Sequence, residues 1–221
     1  MTPPSGEAIL AAAFLIVGYT SQVHSAAPLL ALLISAATVF AFPPAEQKEI
    51  NELYRRGLGG DQAAVITCVD KLEGVLKTEP GNQLARVYLG SAYTLRSRDL
   101  GFGPKKLAAL NHGIALMDEA VTATPDNPKV RLARALTTQA LPFFVGRSAS
   151  SRRDFEILAD SAERSPAAFE RGDLQIIFLN AGLAAKTNGN RARAAALFKE
   201  ALRHPVDPAL VAKTAEALAH P

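Results

Sequence analysis

Four proline-centred breaks divide the charged part of the chain: Glu79-Pro80-Gly81-Asn82, Thr124-Pro125-Asp126-Asn127-Pro128, Ser165-Pro166 and His204-Pro205-Val206-Asp207-Pro208. They recur about every 40 residues, a period that points to stacked repeats before any single-domain fold. Proline lacks a backbone N–H and drives the residue before it out of the helical region, so each break ends a helix. Asn82, Asn127 and Asp207 then stand where a side-chain oxygen caps the helix that follows. Pro128 and Pro208 come directly after two of those caps, where the missing N–H is not needed. Between the breaks, from Glu46 on, apolar residues recur at three- and four-residue spacing, the helical period. Abundant Ala and Leu agree, since both lose little side-chain freedom in a helix. The 221 residues, 48% hydrophobic and 20% charged, suffice for one folded domain with a sizeable core.

Charge is placed unevenly. Residues 1–45 hold one acid, Glu7, and no Lys or Arg, so the rest carries 24 basic residues against 20 acids, a net of +4. That is too small and too dispersed for a nucleic-acid binder, which needs a basic stripe; Lys105-Lys106 and Arg152-Arg153 are isolated doublets on helix faces. Residues 1–42 instead form an apolar signal peptide or membrane anchor ahead of a helical domain over 43–221. The runs Ala8–Tyr19 and Ala26–Phe42 span twelve and seventeen residues, the longer at the lower limit for crossing a bilayer. Val39-Phe40-Ala41 offers the small residues a signal peptidase needs, with cleavage after Ala41. No cation opens the segment, which is also consistent with translation starting near Val23. The chain is therefore expected to be exported to the periplasm, or anchored to the inner membrane with membrane contact through residues 8–42.

The last repeat is the clearest. Leu179-Asn180-Ala181-Gly182-Leu183 lies on one helix, Asn188-Gly189-Asn190 makes the turn, and Ala194, Phe198 and Ala201 follow on a second helix before Pro205. This resembles the tetratricopeptide repeat, in which a small residue on helix A lets helix B approach and a large residue on B fills the gap between them. Gly182, Gly189, Ala194, Phe198 and Ala201 fall at that family's spacing. An earlier unit matches at Leu89-Gly90, Tyr93, Met117, Ala120 and Pro125, but its halves stand about eleven residues further apart than the family pattern. The extra stretch, Arg98–Lys106, reads as a protruding loop, with a comparable departure at Leu141–Arg147. The first unit matches only around Ala64, Leu72 and Pro80. The chain is also similar to a group of short bacterial repeat proteins with two Gly/Pro loops and a "DNP–Arg" turn, a group that implies a fold and no activity. The resemblance covers roughly residues 46–208 and implies an all-α, right-handed superhelix of about four antiparallel helix pairs, a TPR-like α-solenoid, with Asp207–Ala219 as a C-terminal capping helix.

No residue set reads as an active site, and no cofactor is implied. Cys68 is the only cysteine and sits at an apolar-facing position with Val65, Val69 and Leu72, a buried small hydrophobe. His24, His112, His204 and His220 do not cluster at metal-ligand spacing. Gly101-Phe102-Gly103-Pro104 lacks the strand and the Gly-Lys-Ser/Thr of a phosphate loop. Ser148–Ser151 reads as the N-cap of the helix carrying Arg152–Arg164, and Asp118-Glu119 and Asp154/Glu156 read as exposed helix faces. A hydrolase or metal-dependent enzyme would need Asp154, Glu156 and a histidine to meet in one pocket.

What remains is binding of a protein or peptide. In the resembled family the concave face is lined by helix A, and the resemblance puts Leu84, Val87, Ser91 and Thr94 there from one unit. The next contributes Lys129, Leu132, Leu136 and Gln139, and the last contributes Ile176, Leu179, Leu183 and Lys186. That strip is apolar with sparse amides and two cations, suited to an extended peptide or a partner helix. Phe102, Phe143 and Phe144, on the two departing loops, are the other candidate contacts. The expected function is a non-catalytic interaction scaffold, exported or tethered, with a membrane assembly factor as the alternative.

Overall fold

A computed structural model describes residues 44–220, so the apolar runs and the cleavage site at Ala41 lie outside the described residues. The described residues are helical, with no strand among them: α1 (Pro44–Leu58), α2 (Gln62–Thr78), α3 (Gln83–Asp99), α4 (Pro104–Ala123), α5 (Pro128–Ala140), α6 (Ser148–Arg164), α7 (Arg171–Thr187), α8 (Arg191–Leu202) and α9 (Pro208–Ala219). Each helix packs on the next along the chain, and α9 packs on both α8 and α7. Among the described residues no helix is long and apolar enough to cross a membrane.

The prolines set the helix ends as the sequence requires. Glu79, Thr124 and Ser165, each just before a proline, share one backbone conformation, with φ of −129°, −136° and −144° and ψ of 68°, 67° and 65°. The next helices restart on the expected caps. Asn82 Oδ1 accepts from the Ala85 N–H at 3.0 Å, Asn127 Oδ1 from Lys129 and Val130, and Asp207 Oδ1 from Ala209. Each such cap is worth about 1 kcal/mol. Two of the turns carry a further latch. Arg86 donates from Nη2 to the Pro80 carbonyl at 2.7 Å and Arg131 does the same to Pro125 at 2.8 Å, while their other nitrogens reach Glu119 and Asp154 on neighbouring helices. Pro80-x-Asn82-x-x-x-Arg86 and Pro125-x-Asn127-x-x-x-Arg131 are thus one device used twice.

Two expectations are corrected here. The α6 helix begins at Ser148 after Arg147 with no side-chain cap; Ser150 instead donates to the Arg147 carbonyl and the buried Ser151 hydroxyl to Ala135 on α5. The insertion read as a loop over Arg98–Lys106 is mostly helix: only Leu100–Gly103 lie between α3 and α4. The extra residues lengthen α3 and α4, because a helix satisfies its own backbone hydrogen bonds where an extended loop would not.

Side chains form two core clusters. One is built on α1–α4 with Val130 and Ala133 of α5; the other takes Leu132, Ala135 and Leu136 of α5 together with α6–α9. The α5 helix therefore belongs to both. Within each cluster a glycine sets the closest approach. A Cβ on Gly90 would lie 2.5 Å from the Gly113 carbonyl oxygen and 2.6 Å from Met117 Cγ, and one on Gly182 would lie 2.5 Å from Phe198 Cε1. Cys68 is buried, as its position predicts.

A line of hydroxyls ties α1, α3 and α5. Thr137 donates to the Ala133 carbonyl at 2.9 Å, so its oxygen accepts from Ser91 at 2.7 Å, and Ser91 in turn accepts from Tyr54 at 2.5 Å. Burial raises the Tyr54 phenol to about 12, so it remains a donor through and well above neutral pH.

The glycines give a test with opposite signs. Gly182→Ala forces a methyl against a fully buried ring and should cost about 1–3 kcal/mol despite its better helix propensity. Gly74→Ala, in α2 with open space around it, should stabilise by about 0.5–1 kcal/mol. Urea unfolding of both variants checks the pair.

Candidate functional site

The helix-A strip drawn from the resemblance is not an open surface along its length. Val87, Ser91 and Thr94 on α3, Leu132 and Leu136 on α5, and Ile176 and Leu179 on α7 are buried. Leu84 is half-buried against the first core cluster, and Leu183 lies with Ala217 and Leu218 against the second. Gln139 donates to Asn180 Oδ1 at 2.8 Å, joining α5 to α7. Lys186 bonds the His220 carbonyl at the end of α9. Gln175 holds the start of α9, accepting from the Val206 and Asp207 N–H groups and donating to the Asp207 carbonyl. Of the strip, only Lys129 and Lys186 are exposed, with Leu84, Leu183 and Gln139 partly so. Phe102, Phe143 and Phe144 are fully or largely exposed, and the last two meet edge to face with ring centres 5.9 Å apart.

An opening does exist at the start of α5 and α7. It encloses ≈ 180 Å³ and is lined by Pro128, Lys129, Leu132, Ala167, Ala168, Phe169, Glu170 and Asp173. This is the break at Ser165-Pro166, which differs from the two before it. A 3₁₀ turn over Pro166–Ala168 precedes α7, whose N-cap Glu170 makes no side-chain cap bond. Gly172 stands six residues after Pro166, where Arg86 and Arg131 follow Pro80 and Pro125, so no guanidinium closes the turn.

Asp173 is the unusual group in this pocket. It is 7% exposed, and among the described residues nothing donates a hydrogen bond to it. Burial pushes its carboxyl up to about 7, the neighbouring Glu170 charge adds to the rise, and Lys129 opposes it. Lys129 is committed to Glu170, 3.4 Å away. From α3, the buried Tyr88 phenol is held well above its usual value, mainly by burial and then by Asp173 and Glu170. The pocket thus presents two carboxyls and one ammonium between the apolar Leu132 and Phe169. The sequence gives no motif for it: Glu170 and Asp173 look like ordinary acids in the first turn of a helix.

A contrasting acid lies nearby. Asp154 is 1% exposed, not on an open helix face. It accepts from Arg131 at 2.8 Å and from Arg134 at 2.8 and 2.7 Å, and Arg134 and Arg147 both reach Asp118. This five-residue cluster joins α4, α5 and α6, and its carboxylate is saturated. Glu156 is exposed and bonded by Asn188, while His112 and His204 lie against Tyr93 and Phe178. Among the described residues Asp154, Glu156 and a histidine therefore do not meet. Among the described residues no group of three His, Cys, Asp or Glu could hold a metal ion. A larger crevice of ≈ 280 Å³ between α6, α7 and α8 is lined by Ala159, Ala181, Ala185 and Leu197 and by polar groups bonded to one another, as Arg193 is to Asp160 and Asn188 to Glu156.

No family model, curated protein or solved structure matches the chain.

The two buried acids should behave oppositely. Asp154→Ala strands Arg131 and Arg134 and should cost about 3–5 kcal/mol by urea unfolding. Asp173 binds its proton more tightly folded than unfolded, so it favours the folded state below pH 3.8 and progressively less as pH rises to about 7. The loss across that window is on the order of 2–4 kcal/mol. Asp173→Asn should flatten that part of the stability–pH curve and make the variant the more stable protein near pH 8. A wild-type curve with no fall between about pH 4 and 7 would contradict this assignment.

Proposed function

We propose that this protein is a non-catalytic binding scaffold, a tetratricopeptide-like stack that takes a cationic side chain of a peptide or partner protein into the α5–α7 pocket. The observation that carries this reading is Asp173, a carboxyl nine-tenths buried at the wall of an open pocket with no donor of its own. A buried carboxylate without a partner is costly, and a Lys or Arg entering between Leu132 and Phe169 would supply both the charge and an aliphatic stem to lie on them. Glu170 adds attraction at the rim. The TPR-like pairing and right-handed superhelix belong to the same proposal, supported by the glycine-mediated approach of α3 to α4 and of α7 to α8. Export or tethering through residues 8–42, and the assembly-factor alternative, rest on the sequence alone.

Random peptides displayed against the full chain test the reading. Enrichment should favour Lys or Arg beside an apolar residue, and a selected peptide should bind Asp173→Asn at least tenfold more weakly, a loss of about 1.4 kcal/mol. Because protonation removes the charge that attracts the ligand, affinity should fall as pH drops through about 7. Peptides without a basic residue, or binding indifferent to Asp173→Asn, would refute the pocket as the site.

A further inference from the structure

The turn between α3 and α4 stands above its neighbours. Ser91 shares a hydrogen-bonded level with Tyr54 on α1 and Thr137 on α5. From that level α3 runs eight residues further, to Asp99, whereas α1 runs four, to Leu58, and α5 three, to Ala140. At 1.5 Å per residue the α3 end therefore rises about 6–8 Å past the other two. Arg98, near the top of α3, fixes the mast by donating to the Gly57 and Leu58 carbonyls at the end of α1.

At the summit is Leu100-Gly101-Phe102-Gly103-Pro104. Gly103 has φ +147°, a conformation that side chains disfavour, and Phe102 is turned fully to solvent. Leu107, one turn into α4, is also exposed. Lys105 and Lys106 flank them. Among the described residues neither lysine has an acid within ion-pair distance, nor do Arg152 and Arg153 in the second turn of α6 at this same end. The acids at this end, Asp99 beside the tip and Asp61 in the α1–α2 turn, are already paired with Arg98 and Arg56. The turns of the opposite end are mixed in charge, with Glu79, Asp126, Glu170 and Asp207 beside Lys129 and Arg203.

This is a protruding apolar point in a cationic collar. A surface of that shape fits a soft apolar medium bounded by negative charge. We propose that the α3–α4 turn docks on anionic lipid bilayers, with Phe102 entering the acyl boundary and Lys105 and Lys106 facing the headgroups. Phe143 and Phe144 on the lower turn form a second apolar contact beside it. Burial of the ring and attraction of each lysine act together, so binding weakens with salt. The proposal is independent of the α5–α7 pocket, which lies at the other end.

The apolar runs at 8–42 would by themselves bring the full chain to vesicles, so the test must read the tip. The chain has no tryptophan, and Phe102→Trp provides a single reporter on an exposed position. With phosphatidylglycerol–phosphatidylcholine vesicles its emission should shift to the blue and be quenched by bromine-labelled acyl chains. Pure phosphatidylcholine should shift it far less. Adding Lys105→Glu and Lys106→Glu should weaken partitioning of the tip about tenfold or more. Val206→Trp, at the exposed opposite end, should not respond. Emission at position 102 that ignores anionic vesicles, that responds to an acidic apolar peptide but not to them, or that is matched at position 206, would overturn the proposal.

Discussion

Proline disfavours the helical region for the residue before it, and three such residues in this chain settle into nearly the same backbone shape. Everything larger depends on that constraint. It fixes where α2, α4 and α6 stop, and the caps that follow fix where α3 and α5 begin. With ends fixed, registers are fixed, and Gly90 meets Gly113 while Gly182 meets Phe198. The hydroxyls of Tyr54, Ser91 and Thr137 then fall in line across three helices. The break at Ser165-Pro166 keeps the stop but loses both the Asn cap and the Arg latch. The pocket lies at that break, so the candidate site is a place where the repeated turn has been left unfinished.

The two buried acids show how environment divides one chemistry. Asp154 is surrounded by Arg131 and Arg134, so its charge is spent on joining helices. Asp173 has the same side chain, comparable burial and no donor. The first stabilises, the second costs stability at neutral pH, and a group that costs stability is what a binding site would retain.

Features set by local chemistry were legible in the residues. Asn82, Asn127 and Asp207 cap helices because a short side-chain oxygen placed before a helical run has little else to do, and Gly182 opposite Phe198 is the pairing that the tetratricopeptide resemblance implied. Features that depend on which helices meet were not legible. Nothing near Asp154 in sequence announces Arg131 and Arg134, which reach it from another helix. The length of α3 and α4 was hidden because Gly101 and Pro104 signal a break without saying how short it is. That most of the helix-A strip is buried was not legible for a related reason: helical period identifies an apolar face but not what covers it, and here α9 is held against α7 by Gln175.

Asp173 lies buried and without a donor beside an open pocket. Carbon-13 NMR of the side-chain carboxyls, with Asp173→Asn to assign the resonance, measures this directly. Asp173 should titrate near pH 7, apart from the exposed acids, and its midpoint should fall when a cationic peptide binds. A midpoint near its ordinary value of 3.8 in the free protein would contradict it.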